Sequence, residues 1–386
     1  MGFFLLLACG PDIRSLYEEE RTHALTLASD VPADWQPDLV VAIGEEALGR
    51  AVTVAASEAL ESQSRPVNIE LPLGANATLR PKLKVKSAVL SPGQGCESCV
   101  HFELDVRGDV SWSLGALGGS FPARLAVGGQ LQVGVEDRTR VVARPFKIGK
   151  VELESGELGG LRANPSAALQ DWVRAAVGTS LPPIPIADLG GGELPVRLLR
   201  VKTGEHALRV EVLTNVPGAR AATVPDPSPE ALILGLSETA LSGLLRREAF
   251  EKGTVAMDVA VDPRAIDVEG NAFHLNLRLW RLVGSGWWRD YDVMGTLALN
   301  GGKIALKAGS VEETAASSGA ELVDPLAALA QTQILEAIAT NLERTLPGSA
   351  GEKVGGVKLR AVVTGVRGVG ETLLVDAQLR VRASGE

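Results

Sequence analysis

Leu234-Gly235-Leu236-Ser237-Glu238-Thr239-Ala240-Leu241 and Val41-Ala42-Ile43-Gly44-Glu45-Glu46-Ala47-Leu48 follow one local plan. Each opens with a short apolar run of strand character and reaches a residue suited to cap a helix, Ser237 or Gly44. Acid follows in the first turn, and then apolar residues spaced for one helical face. That face carries Leu241, Leu244 and Leu245 in one case and Ala47, Leu48, Ala51 and Val52 in the other.

Outward from these stretches the chain keeps matching itself. His101-Phe102-Glu103-Leu104-Asp105-Val106 corresponds to His274-Leu275-Asn276-Leu277-Arg278-Leu279, with Gly128-Gly129 and Gly301-Gly302 following at equal spacing. Asn164-Pro165-Ser166-Ala167-Ala168-Leu169 corresponds to Asp324-Pro325-Leu326-Ala327-Ala328-Leu329; both place Pro at the first helical position. Both predicted helices stop at Leu-Pro, Leu181-Pro182 and Leu346-Pro347, and each half closes with strands. Leu79, Pro81, Leu83 and Val85 alternate with Arg80, Lys82, Lys84 and Lys86, the pattern of a strand with one wet face. These limits predict a first domain over 38–215, a Pro-rich linker over 216–229 and a second domain over 230–386.

Composition narrows the function. The net charge is −9, which disfavours nucleic acid as a partner, and 45% apolar residues suffice for a large core. Gly 43 and Pro 21 suit many turns between strands. No apolar run approaches the roughly 18 residues of a membrane-spanning helix.

Residues 1–8 read as an apolar export segment, and Leu6-Leu7-Ala8-Cys9 resembles a bacterial lipobox, which implies acylation of Cys9. Residues 9–37, with Glu18, Glu19 and Glu20, are expected to form a tether. Cys96 and Cys99 lie in a Ser/Gly-rich loop and are expected to form a small disulfide after export. A redox pair would want a helix N-terminus there and a zinc site four ligands, and the sequence offers neither.

The element order, duplicated around the Leu234–Glu238 stretch and its Pro-rich linker, resembles the tubular lipid-binding (TULIP) superfamily. The likeness is to the two-domain arrangement of bactericidal/permeability-increasing and lipid-transfer proteins. The resemblance implies an α+β chain of two tandem domains related by a pseudo-two-fold. Each would be a highly curled antiparallel sheet wrapped around a long helix. It further implies an apolar tunnel between helix and sheet that holds acyl chains of a phospholipid or fatty acid, with no other cofactor. Ala47, Leu48, Ala51, Val52, Leu241, Leu244 and Leu245 are the expected tunnel lining. Burying CH₂ groups at about 0.8 kcal/mol each would make an acyl chain worth roughly 10 kcal/mol before entropy costs. The expected protein is a monomeric lipid binder or carrier on the periplasmic side of the outer membrane or in the periplasm. The alternative is an envelope scaffold or protein-interaction lipoprotein with a dry core.

Catalysis is not expected. His23, His101, His206 and His274 are scattered without ligand spacing, and Gly284-Ser285-Gly286 lacks the context of a nucleophile elbow. Gly365 to Gly370 opens no helix and reads as a hairpin turn. Two surface features remain. Trp287, Trp288 and Arg289 beside the Gly-Ser-Gly turn suit a bilayer interface, a partner contact or strand packing. The Arg80, Lys82, Lys84, Lys86 stripe suits anionic headgroups or simply solvent.

Overall fold

The computed structural model describes residues 12–62, 66–70, 76–93, 98–136, 139–155, 166–180, 183–188, 196–256, 258–284, 286–300, 303–317, 353–354 and 357–383. The two quoted stretches meet in space. Strand β1 (Leu39–Gly44) runs antiparallel to β10 (Ala231–Ser237), with Val41 opposite Leu234. On the far side of β1 lies β9 (Ala207–Thr214) and then β8 (Val196–Thr203); beyond β10 come β18 (Thr372–Ala383), β17 (Val357–Val369) and the short β16 (Lys353–Val354). This seven-stranded sheet takes strands from both halves of the chain. Each half adds a meander: six strands, β2 (Val67–Glu70), β3 (Asn76–Pro92), β4 (Cys99–Leu114), β5 (Leu117–Glu136), β6 (Arg140–Ser155) and β7 (Ile184–Asp188), in sequence order. The second has five, β11 (Thr254–Ala256), β12 (Val259–Glu269), β13 (Ala272–Arg281), β14 (Trp287–Asn300) and β15 (Lys303–Ala316), also in order.

The expected fold, two tandem domains each with a curled sheet wrapped around a long helix and a pseudo-two-fold between them, is corrected by this architecture. Strand makes up 61% of the described residues. The described helices are α1 (Ile13–Leu25), α2 (Glu45–Ser62), α3 (Ser166–Ser180) and α4 (Glu238–Lys252), none longer than 18 residues. An 18-residue helix is about 27 Å long, so α2 lies as a short rib against β3. Strands of up to 20 residues supply most of the main core. A 3.6-residue apolar period reports a face; it does not report how far the helix runs or what covers it. The second late helix expected from Asp324, its Leu346-Pro347 stop and Gly301-Gly302 lie outside the described residues.

Helix starts follow two different designs. Ser237 Oγ accepts the Ala240 N–H at 3.2 Å, an ordinary N-cap, and Ser237 is fully buried. Gly44 has no side chain to cap with. The Glu46 and Ala47 N–H groups instead donate to the Pro229 carbonyl at 2.9 and 3.0 Å. A Cβ at Gly44 would sit 2.3 Å from the Ser228 carbonyl oxygen, so glycine is required by the close approach of residues 228–229. Ser237→Ala should lose about 1 kcal/mol in urea unfolding, and an unchanged midpoint would mean that the cap carries no net stability.

The Pro-rich linker is packed against the sheet. Ala222 and Val224 are buried with Val40, Ala42, Ile233 and Leu374 on the face of the seven-stranded sheet turned away from the main core. Thr223 N–H donates to Thr372 Oγ1 at 2.9 Å, and Arg209 Nη1 donates to the Val224 carbonyl at 3.0 Å. Gly235 makes room, since a Cβ there would lie 2.2 Å from Val224 Cγ2.

The segment expected to be a tether is corrected as well. Asp12 caps α1 by accepting the Arg14 N–H at 3.2 Å, and the helix docks on the second half. Tyr17, 3% exposed, packs tilted against Phe250 and edge-on to Trp280 with ring centroids 5.3 and 6.0 Å away, and Ile13, Leu16, Ala24 and Leu25 complete the contact. The spacing of these residues gives α1 one apolar stripe, enough to bury a face despite three consecutive glutamates.

Candidate functional site

The seven residues expected to line a tunnel are brought together by the fold, in its main core. Ala47, Leu48, Ala51, Val52, Leu241 and Leu245 are at most 3% exposed, and Leu244 is half-buried against the same cluster. The cavities described below are lined by other sides of these helices, by Glu46, Gly49 and Arg50 of α2 and by Glu238, Ser242 and Arg247 of α4.

Strand alternation separates the three residues of the Trp hairpin. Trp287 and Arg289 face inward, 4% and 7% exposed, and Arg289 pairs with Glu313 at 2.7 Å. Trp288 faces the other way and is half-buried, with the Arg278 guanidinium 3.9 Å from its ring; Arg278 in turn bonds Asp290. Bilayer contact through Trp287 and Arg289 is therefore corrected, because side chains on the inward face of a sheet cannot reach a lipid surface. Gly286 at the turn abuts Ile13, so α1 also covers this end. Cys99 is 1% exposed and disulfide-bonded; Cys96 and Cys9 lie outside the described residues.

The Arg80, Lys82, Lys84 and Lys86 stripe is exposed along β3, alternating with buried Leu79, Pro81, Leu83 and Val85. The ladder extends it across the sheet. Lys84 lies opposite Arg107, and Arg107 opposite Arg124, so three cations form one row over β3, β4 and β5. Like charges directly opposite one another destabilise a sheet. Asp105 offsets part of this cost: it accepts Arg107 Nε at 2.9 Å and Arg124 Nε at 3.2 Å, and the Arg107 hydrogen bond first of all holds its carboxyl below the usual range. Glu61 takes Lys84 at 2.7 Å. Cations still outnumber carboxylates on this face, in a chain whose net charge is −9.

The turn at one end of these strands is apolar, on the side opposite the cations. The β4–β5 turn carries half-buried Leu114 and Leu117, 66% exposed, with Gly115 at φ +57°. Trp112 lies across Gly119, where a Cβ would meet its Nε1 at 2.9 Å. Arg80 pairs with Ser111, three residues from Leu114, or about 10 Å along the strand. Sequence reading found the β3 stripe and missed Arg107, Arg124 and Leu117. Only the register shows the first two, whereas the Leu114-Gly115-Ala116-Leu117 break in alternation marked the turn.

Concavities also mark the described surface. One of about 850 Å³ lies among Glu45, Val89, Leu90, Gly204 and His206; a groove of about 390 Å³ beside it is lined by Arg50, Val54 and Lys86. A third, of about 410 Å³, lies between the end of α1, the start of the linker, α4 and β12. Among the described residues, no group of three His, Cys, Asp or Glu is placed to hold a metal ion, and no helix is long and apolar enough to cross a membrane.

No protein-family model matches the chain, and no curated protein matches it in sequence. Among solved structures it is similar to lipopolysaccharide binding protein, at 14% identity and a TM-score of 0.40 over 90% of this chain and 99% of that one. It is also similar to P47 of Clostridium botulinum E1, at 8% identity and a TM-score of 0.42 over 90% and 100%. Likeness at this level identifies neither a shared fold nor a shared ligand.

Proposed function

We propose that the protein is a non-enzymatic lipid-binding protein that works at an anionic lipid surface, through the outer face of β3, β4 and β5 and the Leu114–Leu117 turn. The observation that carries this reading is the Lys84, Arg107, Arg124 row, a concentration of positive charge that the sheet holds at a cost in an otherwise acidic chain. Each Lys or Arg near an anionic membrane contributes about 1 kcal/mol. Leu117, already exposed, gives up apolar contact with water on entering the interface and adds roughly 1.5–3 kcal/mol. The expected bacterial-envelope location and an acyl anchor at Cys9 belong to the same reading, since an anchor keeps a weakly attracted face beside lipid.

Vesicle co-sedimentation tests it. Vesicles with a third of their lipid as phosphatidylglycerol should bind the protein at least tenfold better than pure phosphatidylcholine, and about 0.5 M salt should abolish the difference. Lys82→Glu with Lys84→Glu should remove the preference, and Leu117→Asp should weaken binding about tenfold. Equal binding to both vesicle types, or no change on charge reversal, rules the face out. A protein inert toward all vesicles would favour the scaffold reading, which the filled core around Ala47, Leu48 and Leu241 supports.

A further inference from the structure

Two β-bulges turn apolar side chains onto the face that carries the cations. On β3, Leu79, Pro81, Leu83 and Val85 point inward, and unbroken alternation would send position 89 inward as well. The register shifts between Val85 and Ser87, so Val89 instead lies opposite Glu103 on the outer face, in the series that holds Asp105 and Arg107. It is 62% exposed. On β6, Arg144 faces Gln132 and Pro145 faces Leu131, and the next pair joins Lys147 to Gln130. Phe146 is the extra residue of that bulge and is also 62% exposed. Helix α3 packs on the inner side of β6, which leaves Phe146 the outer side that it shares with Lys147.

Single exposed apolar residues are ordinary. Among the described residues, however, Leu117 alone of the large hydrophobics is more exposed than these two. Each is aimed by a bulge, which re-directs a side chain that a regular strand would place elsewhere. Cations stand beside them: Lys86 is the extra residue of the β3 bulge, and Lys147 follows Phe146. Glu103 lies next to Val89 and has the His101 imidazole 3.9 Å away. Val89 is four residues, or about 13 Å, along the strands from the row of Arg107 and Arg124, and β3 and β6 are three strand spacings or about 14 Å apart. Apolar tips set among long cationic side chains suit the boundary of a bilayer, where the tips enter the acyl region and the charged heads stay with the phosphates.

We propose that Val89 and Phe146 are the side chains this face inserts below the headgroups of an anionic bilayer, while Lys86 and Lys147 remain at the phosphates. The inference rests on the lipid-surface reading above and adds to it the residues that enter the lipid, together with strand β6.

Phosphatidylglycerol-containing vesicles, with and without brominated acyl chains, test the proposal. The Phe146→Trp protein adds one indole to the six of the chain, and subtracting wild-type emission isolates it. On vesicle binding the added emission should shift to the blue, and brominated chains should quench it. Val89→Ser with Phe146→Ser should bind about tenfold more weakly yet keep the preference for phosphatidylglycerol. Met294→Ser, at a position 53% exposed on β14, should bind as the wild type does. Salt-sensitive binding with an unquenched added indole, wild-type affinity in the double variant, or an equal loss in Met294→Ser overturns the insertion and leaves the charged face standing. No binding of the wild type to any vesicle overturns both.

Discussion

Arg246→Ala is expected to lose about 3–5 kcal/mol of stability, as removal of one member of a buried ionic group does elsewhere. Asp262 on β12 is completely buried, and Arg246 holds it with two hydrogen bonds, of 2.6 and 3.1 Å. The same guanidinium bonds Glu20 of α1, which also takes Arg264 at 3.1 Å. Deleting Arg246 therefore strands a buried carboxylate and loosens α1 in one step. Burial alone would push the Glu20 carboxyl up, but the hydrogen bond and charge of Arg246, with Arg264 behind it, hold it below its ordinary value of 4.5. A carboxylate with a depressed folded value lends stability that is present above its unfolded value and lost as pH falls through the folded one. The wild type should accordingly lose this contribution below about pH 4.5, and Arg246→Ala should show a flatter acid limb. Urea unfolding at pH 7 and pH 4, with tryptic cleavage after Arg14 or Arg21 as the readout for α1, checks both parts. A loss below about 1 kcal/mol would show that water relieves Asp262 and that the network is worth no more than a surface pair.

That network was only partly legible in the sequence, and the reasons are physical. Helix starts are local, so the Ser237 cap and the acid-first turns could be read from spacing alone. The β3 alternation could be read because one wet face imposes a period of two. The partners of each strand could not, because register depends on segments far apart in the chain. The row made by Lys84, Arg107 and Arg124 joins residues 17 to 40 positions apart, which no local pattern reveals.

Two segments make contacts that composition does not report. Glu18, Glu19 and Glu20 give residues 9–37 the look of a solvated spacer, yet the Ile13, Leu16, Tyr17, Ala24 set at helical spacing was already there. Prolines marked residues 216–229 as a linker without showing what it packs on. A segment that lacks N–H donors at Pro217, Pro225, Pro227 and Pro229 is also well suited to lie across a sheet without joining its ladder, and that is how Ala222 and Val224 come to be buried. The seven expected tunnel residues show the same limit from another side. Their apolar face was legible, whereas its cover of strands was not.

Asp38→Ala is expected to cost about 3 kcal/mol, because the residue closes several backbone connections at once. Asp38 precedes β1 and is completely buried. Its N–H donates to the Val212 carbonyl at 3.0 Å and its carbonyl accepts the Ser237 N–H at 2.9 Å, so its backbone joins β9 to β10 across the end of β1. Its carboxyl accepts the Thr214 N–H at 2.9 Å and the Thr214 Oγ at 2.6 Å, and Thr214 is itself 1% exposed. Alanine would leave both Thr214 donors buried and unpaired. Burial pushes the Asp38 carboxyl up from its ordinary 3.8, and the bonds from Thr214 recover only part of the shift. The sign of the pH effect follows: a raised folded value contributes stability that is complete below about 3.8 and declines as pH rises through the folded value. This is opposite to the contribution of Glu20. Asn at position 38 keeps an acceptor for the Thr214 N–H and offers its own amide to Thr214 Oγ, without a charge to bury. Asp38→Asn should therefore stay within about 1 kcal/mol of wild type at pH 7. The difference between the two proteins, measured by urea unfolding from pH 3 to pH 8, should move in favour of Asn as pH rises. A flat difference, or an Asn variant as unstable as the Ala variant, would mean that Asp38 is held by its charge and not in spite of it.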